Sequence, residues 1–187
     1  MDDADAIERL RGLLADAGTR FIVDSRCDRF REPALAEALA VWREKANGNS
    51  APRRSDMTPQ AMRNFVKRVA LFEAVPTECG TRYRARITGQ EFTFAYADMT
   101  GKFIDEVVPP KYLVRWMAAV EAVQAHMGPF RMIGVPEAFD RDHSVLEMLL
   151  APLLDDDDKP NFVLFVGNFE RGRAWVDVEA DEAAICK

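Results

Sequence analysis

Apolar residues along this chain recur first at helical spacing and later in alternation. Ile7, Leu10 and Leu14, with Leu13 beside them, place an amphipathic helix over residues 3–17. Acidic residues open it and Gly18 follows it, as the helix dipole and C-terminal capping favour. A helix of that length is marginal alone, so it docks on the domain or on a second copy of the chain. Leu35, Leu39 and Trp42 form the stripe of a second helix over 33–46, which starts at Pro33 and ends at Asn47-Gly48. A polar loop over 47–56 follows. Thr58 and Pro59 then suit the start of a third helix, carried through Met62, Phe65 and Val66.

Beyond Val66 the period changes. The apolar run 69–75, closed by Pro76, reads as a strand. Residues 82–89 alternate Arg82, Arg84 and Arg86 with Tyr83, Ala85 and Ile87, the pattern of a half-buried strand with a wet basic face. Residues 91–96 read as its continuation past Gly89, with the glycine as a bulge or bend. A turn at 98–102 leads to a short helical piece at 103–108, stopped by Pro109-Pro110. The long helix spans 111–126, with Leu113, Met117, Val120 and Val123 as its stripe and Trp116 alongside. Strands are expected at 130–135, 144–154 and 161–169, the last two forming a hairpin around Asp155-Asp156-Asp157-Asp158-Lys159-Pro160. The segment 162–166 is apolar on both alternating sets, so both its faces should be covered.

This order predicts an α+β fold: a five-stranded antiparallel sheet with helices over one face, preceded by N-terminal helices. The division is a helical extension over 1–48, a core domain over 49–170 and a C-terminal tail over 171–187. The N-terminal helices, or a second subunit, should cover the other sheet face.

Composition narrows the function. Lys and Arg number 25 against 31 Asp and Glu, a net charge of −6, so nucleic acid is not the expected partner of the whole surface. Cys27, Cys79 and Cys186 are scattered and odd in number, which fits a reducing cytoplasm better than a disulfide framework. The acidic start lacks a signal-peptide character, and no apolar run approaches the ~18–20 residues of a membrane span. The run 145–154 is broken by Glu147 and Pro152.

Catalytic signatures are sparse. There is no G-x-S-x-G elbow, no zinc spacing among His126, His143 and the cysteines, and no EF-hand pattern in Asp155 to Asp158. The segment from Gly167 to Gly172 has P-loop-like glycine spacing but lacks the Lys-Ser/Thr that a phosphate cradle needs. The chain is therefore read as non-enzymatic; a role for His143 or Cys27 in catalysis ranks last. Two candidate sites remain. Arg63, Lys67, Arg82, Arg84 and Arg86, within a basic stretch from Arg53 to Arg86, form an anion patch if their faces converge. The alternative is a solvated face paired with carboxylates such as Asp56, Glu73 and Glu91. Phe103, Trp116, Val120, Met132, Met148 and Phe165 converge on one region of a helix-over-sheet domain, either as filled core or as a ligand pocket.

The segments Trp42-Arg43-Glu44-Lys45, 52–59 (PRRSDMTP), 82–89 (YRARITG after Arg82) and Asp98-Met99-Thr100-Gly101-Lys102, in this order, resemble PAS_5, a bacterial PAS-like family common in alphaproteobacteria. The resemblance covers residues 42–169. It implies a PAS fold and a sensory or adaptor role in cytoplasmic signalling, through a small molecule or a partner protein. It also implies pairing of two copies through the N-terminal helix and the outer sheet face. It names no cofactor: the cysteine motif of light-sensing relatives is missing, and His126 is a poor match to a haem ligand. The runner-up is a nucleotide- or nucleic-acid-binding regulator that uses the basic stretch.

Overall fold

A computed structural model of the chain describes residues 3–18, 20–27, 29–135 and 144–185. Among these the elements run α1 (Asp3–Asp16), β1 (Phe21–Asp24), α2 (Pro33–Ala46), a 3-10 turn (Val66–Arg68), β2 (Val69–Thr77) and β3 (Gly80–Thr88). Then come α3 (Gln90–Ala95), α4 (Ile104–Val107), α5 (Pro110–His126), β4 (Phe130–Gly134), β5 (Ser144–Leu153), β6 (Phe162–Arg171) and α6 (Trp175–Ile185). The strands form one antiparallel sheet in the order β1-β4-β5-β6-β2-β3. The α+β, PAS-like architecture expected from the sequence is what the chain adopts, with six strands rather than five.

Strand alternation sorts the core into two halves. On the inner face, Ala70 and Phe72 of β2, Met148 and Leu150 of β5, and Val163 and Phe165 of β6 pack under α5, α3 and α4. On the outer face, Leu71, Leu149, Ala151, Leu164 and Val166 meet Leu35, Leu39 and Trp42 of α2. Every residue of β5 after Ser144 is buried, as a strand with both faces covered requires. The Trp42 indole N–H donates to the Pro152 carbonyl at 2.9 Å, so α2 is pinned at the centre of the sheet by a buried polar contact as well as by area.

Sequence explains the helix ends. Glu32 accepts from the Ala34 N–H, Pro33 takes the first helical position, and Asn47 closes α2 in the left-handed region at φ 48°. At α4, the Glu106 carboxylate reaches back to the Phe103 N–H at 3.0 Å.

Four expectations are corrected. Residues 58–66 do not form a helix: Thr58 starts a single turn, accepting from Met62 N–H at 3.0 Å, and the chain then winds through separate turns into β2. That path buries Met57, Met62 and Phe65 together against the outer face. Residues 90–95 form α3, not an extension of β3, because the chain turns at Gly89. A strand at Phe21–Asp24 escaped sequence reading; four residues are too few to show alternation, and it forms by pairing with the edge of β4. The segment 171–187 is not a plain tail, since α6 docks Val178 against Ile133 and Val145. Helices cover both faces of the sheet, as the two-sided apolar pattern of residues 162–166 required. The stripe of α1, Ile7, Leu10 and Leu14, is buried with the inner core beside Ala118 and Ala122 of α5, while α2 takes the outer face.

A polar cluster completes the outer face beneath α6. The Arg131 guanidinium lies 2.6 Å from Glu147 and bonds Glu182 through both terminal nitrogens at 2.8 Å. Glu147 is fully buried and also accepts the N–H groups of Arg31 and Glu32 at 3.2 Å. Burial would lower the Arg131 pKa, but the bonds to Glu182 and the charge of Glu147 outweigh it and leave it raised.

Candidate ligand-binding site

The spacing of α5 aims Tyr112, Trp116 and Ala119 along one side of the helix. Opposite them, Met132, Met148 and Phe165 project from three neighbouring strands. Between these walls lies a cavity of about 90 Å³. A water needs roughly 10–15 Å³ on the same scale, so the space suits a small ligand. Leu14 of α1, Phe21 of β1 and Tyr96 after α3 complete the wall, and Arg115 stands in it.

An aromatic cluster shapes one end. The Trp116 ring stacks on Phe165 with centroids 6.1 Å apart and meets Tyr96 edge-on at 5.0 Å. Phe72 and Phe92 close around Trp116 with T-shaped contacts at 6.0 and 6.2 Å. Burial raises the Tyr96 phenol well above its usual pKa, so it stays protonated and can donate. Arg115 donates to the Ala17 carbonyl at 3.1 Å, and its guanidinium carbon lies 5.7 Å from the Tyr112 ring.

Of the apolar candidates, Trp116, Met132, Met148 and Phe165 line this cavity together. Val120 is fully buried in the inner core without lining it. Phe103 is elsewhere: it bridges to Arg84 at the outer edge of β3, with the Arg82 and Arg84 guanidiniums 3.8 and 4.9 Å from its ring centroid. Sequence reasoning missed Leu14, Phe21, Tyr96, Tyr112 and Arg115. The spacing of Tyr112 and Trp116 at i and i+4 carried a signal for the α5 wall; nothing local marked the others.

The basic candidates do not share one face. The helix expected to align Arg63 and Lys67 does not form. Arg63 is exposed in the turns before the 3-10 segment, and Lys67 lines a separate cleft with Glu91, Phe94 and Arg171. Arg82 bonds Asp105 and Glu106, which raises its pKa, and Arg86 lies 3.5 Å from Glu73. Arg53 makes a two-pronged contact with Asp158, and Arg68 approaches Glu91 at 3.4 Å.

Cys27 is buried in the outer core, and Cys79 is exposed. His126 ends α5 with its ring 6.2 Å from Phe130, away from the cavity wall; His143 and Cys186 lie outside the described residues. Among the described residues, no helix is long and apolar enough to cross a membrane.

Residues 30–167 match the PAS_5 family model, a PAS domain. The chain belongs to that family. The matched span opens just before α2 and closes within β6, so α2 is part of the family's unit, while α1, β1 and α6 lie outside it. No curated protein and no solved structure matches the chain at a significant level. PAS domains serve generally as sensory and signalling modules, and that general role carries over to this member.

Proposed function

We propose that this chain is a non-catalytic sensory or adaptor module of cytoplasmic signalling, and that the cavity between α5 and the inner sheet face binds a small molecule. One observation carries the reading: the cavity wall includes Leu14 of α1 and Phe21 of β1, two elements outside the PAS unit. A ligand there would touch the core and its N-terminal appendage at once. A difference in affinity between two seatings of that appendage would be enough to transmit binding as a shape change. The output passes to a partner protein or a second copy. The exposed Leu13 (40%) and Val114 (63%), on α1 and α5, are apolar side chains available for such a contact.

Native mass spectrometry of the gently purified protein tests this first. A retained small molecule that disappears in Met148→Trp, where an indole would fill the cavity, is the expected result. A bound molecule whose occupancy is the same in that variant would sink the assignment of the cavity.

The basic stretch supports the nucleotide or nucleic-acid reading less well, because Arg53, Arg68, Arg82 and Arg86 each face a carboxylate. Binding to anionic polymers that weakens steeply with salt would revive it.

A further inference from the structure

A cleft of about 390 Å³ opens at the end of the sheet where β5 begins and β6 ends, with Ser144 paired to Arg171 across the two strands. Its wall is built from Lys67 of the 3-10 turn, Gln90 and Phe94 of α3, Ser144, and Phe169 and Arg171 of β6. The side chains of Lys67, Gln90, Ser144 and Arg171 make no hydrogen bond or ion pair with any described residue. In that they differ from Arg53, Arg68, Arg82 and Arg86, each of which faces a carboxylate. The Arg171 guanidinium lies 4.6 Å from the Phe94 ring centroid, a contact that orients it without engaging an acid. Glu91 also lines the cleft, and Arg68 at 3.4 Å offsets its charge. Two positive charges are thus left uncompensated in one concave surface of a chain whose net charge is −6. A cleft lined by one sign of charge concentrates ions of the other.

We propose that this cleft binds a small organic phosphate monoester, with the phosphate held by Lys67 and Arg171 and the organic group against Phe169. A phosphate monoester carries close to two negative charges at neutral pH and offers three acceptor oxygens. The wall matches both charges and adds the Ser144 hydroxyl and the Gln90 amide as donors. A single carboxylate would leave one cation unmatched. The volume lies within the roughly 300–1,000 Å³ of small-molecule sites, larger than a bare phosphate needs. Phe169 supplies the apolar side for the rest of the molecule. The cleft is distinct from the cavity under α5, and neither site requires the other to be filled. Phe169 lines the cleft and Tyr96 the cavity, with ring centroids 5.7 Å apart, so the two share a wall.

Isothermal titration of the full chain with phenyl phosphate, phenyl sulfate, inorganic phosphate and succinate, at fixed pH and salt, tests the class. Phenyl phosphate should bind tightest, about tenfold ahead of phenyl sulfate, which has the same shape and one charge fewer. Lys67→Met and Arg171→Met change exposed side chains, and each should weaken phenyl phosphate about tenfold. Arg63→Met removes an exposed cation outside the cleft and should leave the affinity as it was. Thermal melts confirm that the variants fold. Phenyl phosphate that does not bind at millimolar concentration, or that binds Lys67→Met and Arg171→Met as well as the wild type, would overturn the proposal. Equal weakening by Arg63→Met would mean diffuse attraction to the surface and would defeat it too. Phenyl sulfate or succinate binding as tightly as phenyl phosphate would remove the phosphate class. A phosphoserine peptide that binds more tightly than phenyl phosphate would overturn the small-molecule assignment in favour of a phosphorylated protein.

Discussion

A Cβ on Gly89 would lie 2.5 Å from the carbonyl oxygens of Val66 and Lys67, closer than any side-chain carbon tolerates. The glycine N–H also donates to the Val69 carbonyl at 2.6 Å, and its own carbonyl accepts from Thr93 in the first turn of α3. One absent side chain thus ends β3, starts α3 and lets the 3-10 turn pass close by. Gly89→Ala should lower stability by about 1–3 kcal/mol, as other overpacked sites do. A urea midpoint equal to that of the wild type would contradict this. Tyr83 makes a different case. Its hydroxyl donates to the Gln124 side chain at 2.7 Å, and its pKa is pushed up to about 12, first by burial and then by the nearby charge of Glu121. The unfolded phenol titrates near 10, so the tyrosine's contribution is complete below about pH 10 and is lost as pH rises toward 12. That window is worth on the order of 2 kcal/mol. Tyr83→Phe should flatten the loss of stability between those pH values, read by melting temperature across the range; an unaltered slope would rule the group out.

Helix α6 shows how an element can depend on partners distant in sequence. Its pattern, WVDVEADEAAI, has little apolar periodicity, and among the described residues Val178 is the one it buries fully. Trp175 packs beside it, and Glu182 adds a polar attachment through two bonds to Arg131. Arg131 in turn neutralises Glu147, so the three residues stand or fall together. Arg131→Met should cost about 3–5 kcal/mol, because it strands the fully buried Glu147 carboxylate. Adding Glu147→Leu should recover much of that loss, since replacing a whole buried pair with apolar groups is often neutral. A double variant as unstable as the single one would show that the penalty is not the unpaired charge. The sequence made Glu147 conspicuous, as an acid inside an apolar run, but gave no hint of its partners. Arg131 is sixteen residues away and Glu182 thirty-five, and only sheet register and helix docking bring them together.

At the scale of the molecule, α1 is continuous with the inner core. Its stripe sits against Ala118 and Ala122, small residues that let two helices approach closely, and Leu14 reaches the cavity. Leu10→Glu places a charge in that interface, where Leu10 is 1% exposed. Hydrogen exchange should then quicken over residues 118–125 of α5 while β2, β5 and β6 keep their protection, as expected of an appendage that opens locally. Equal loss of protection throughout the sheet would mean that α1 and the core form one cooperative unit, and would remove the independent movement that the signalling proposal needs. The two surfaces that sequence offered for pairing of copies, the α1 stripe and the outer sheet face, are both occupied within the chain by α5 and α2.

Local pattern was enough to place α2 at its observed limits, α5 within a residue and the hairpin of β5 and β6, because these elements are long and their apolar period is strong. The same pattern determined that the sheet is covered on both sides, since Val163 and Phe165 alternate with Leu164 and Val166. It also placed Trp116, Met132, Met148 and Phe165 in one region. Other outcomes depended on contacts with no local trace. Four residues of β1 become a strand because β4 leaves an edge open to them. Residues 58–66 wind through separate turns that bury Met62 and Phe65 against the outer sheet face, a contact outside the local pattern. Arg115 comes to line the cavity with Leu14 and Phe21, and to hold the Ala17 carbonyl, only once α1 has docked on α5. Helical and strand periods report which face of an element is buried; which other element covers that face, and what space is left between them, is decided only when the whole chain packs.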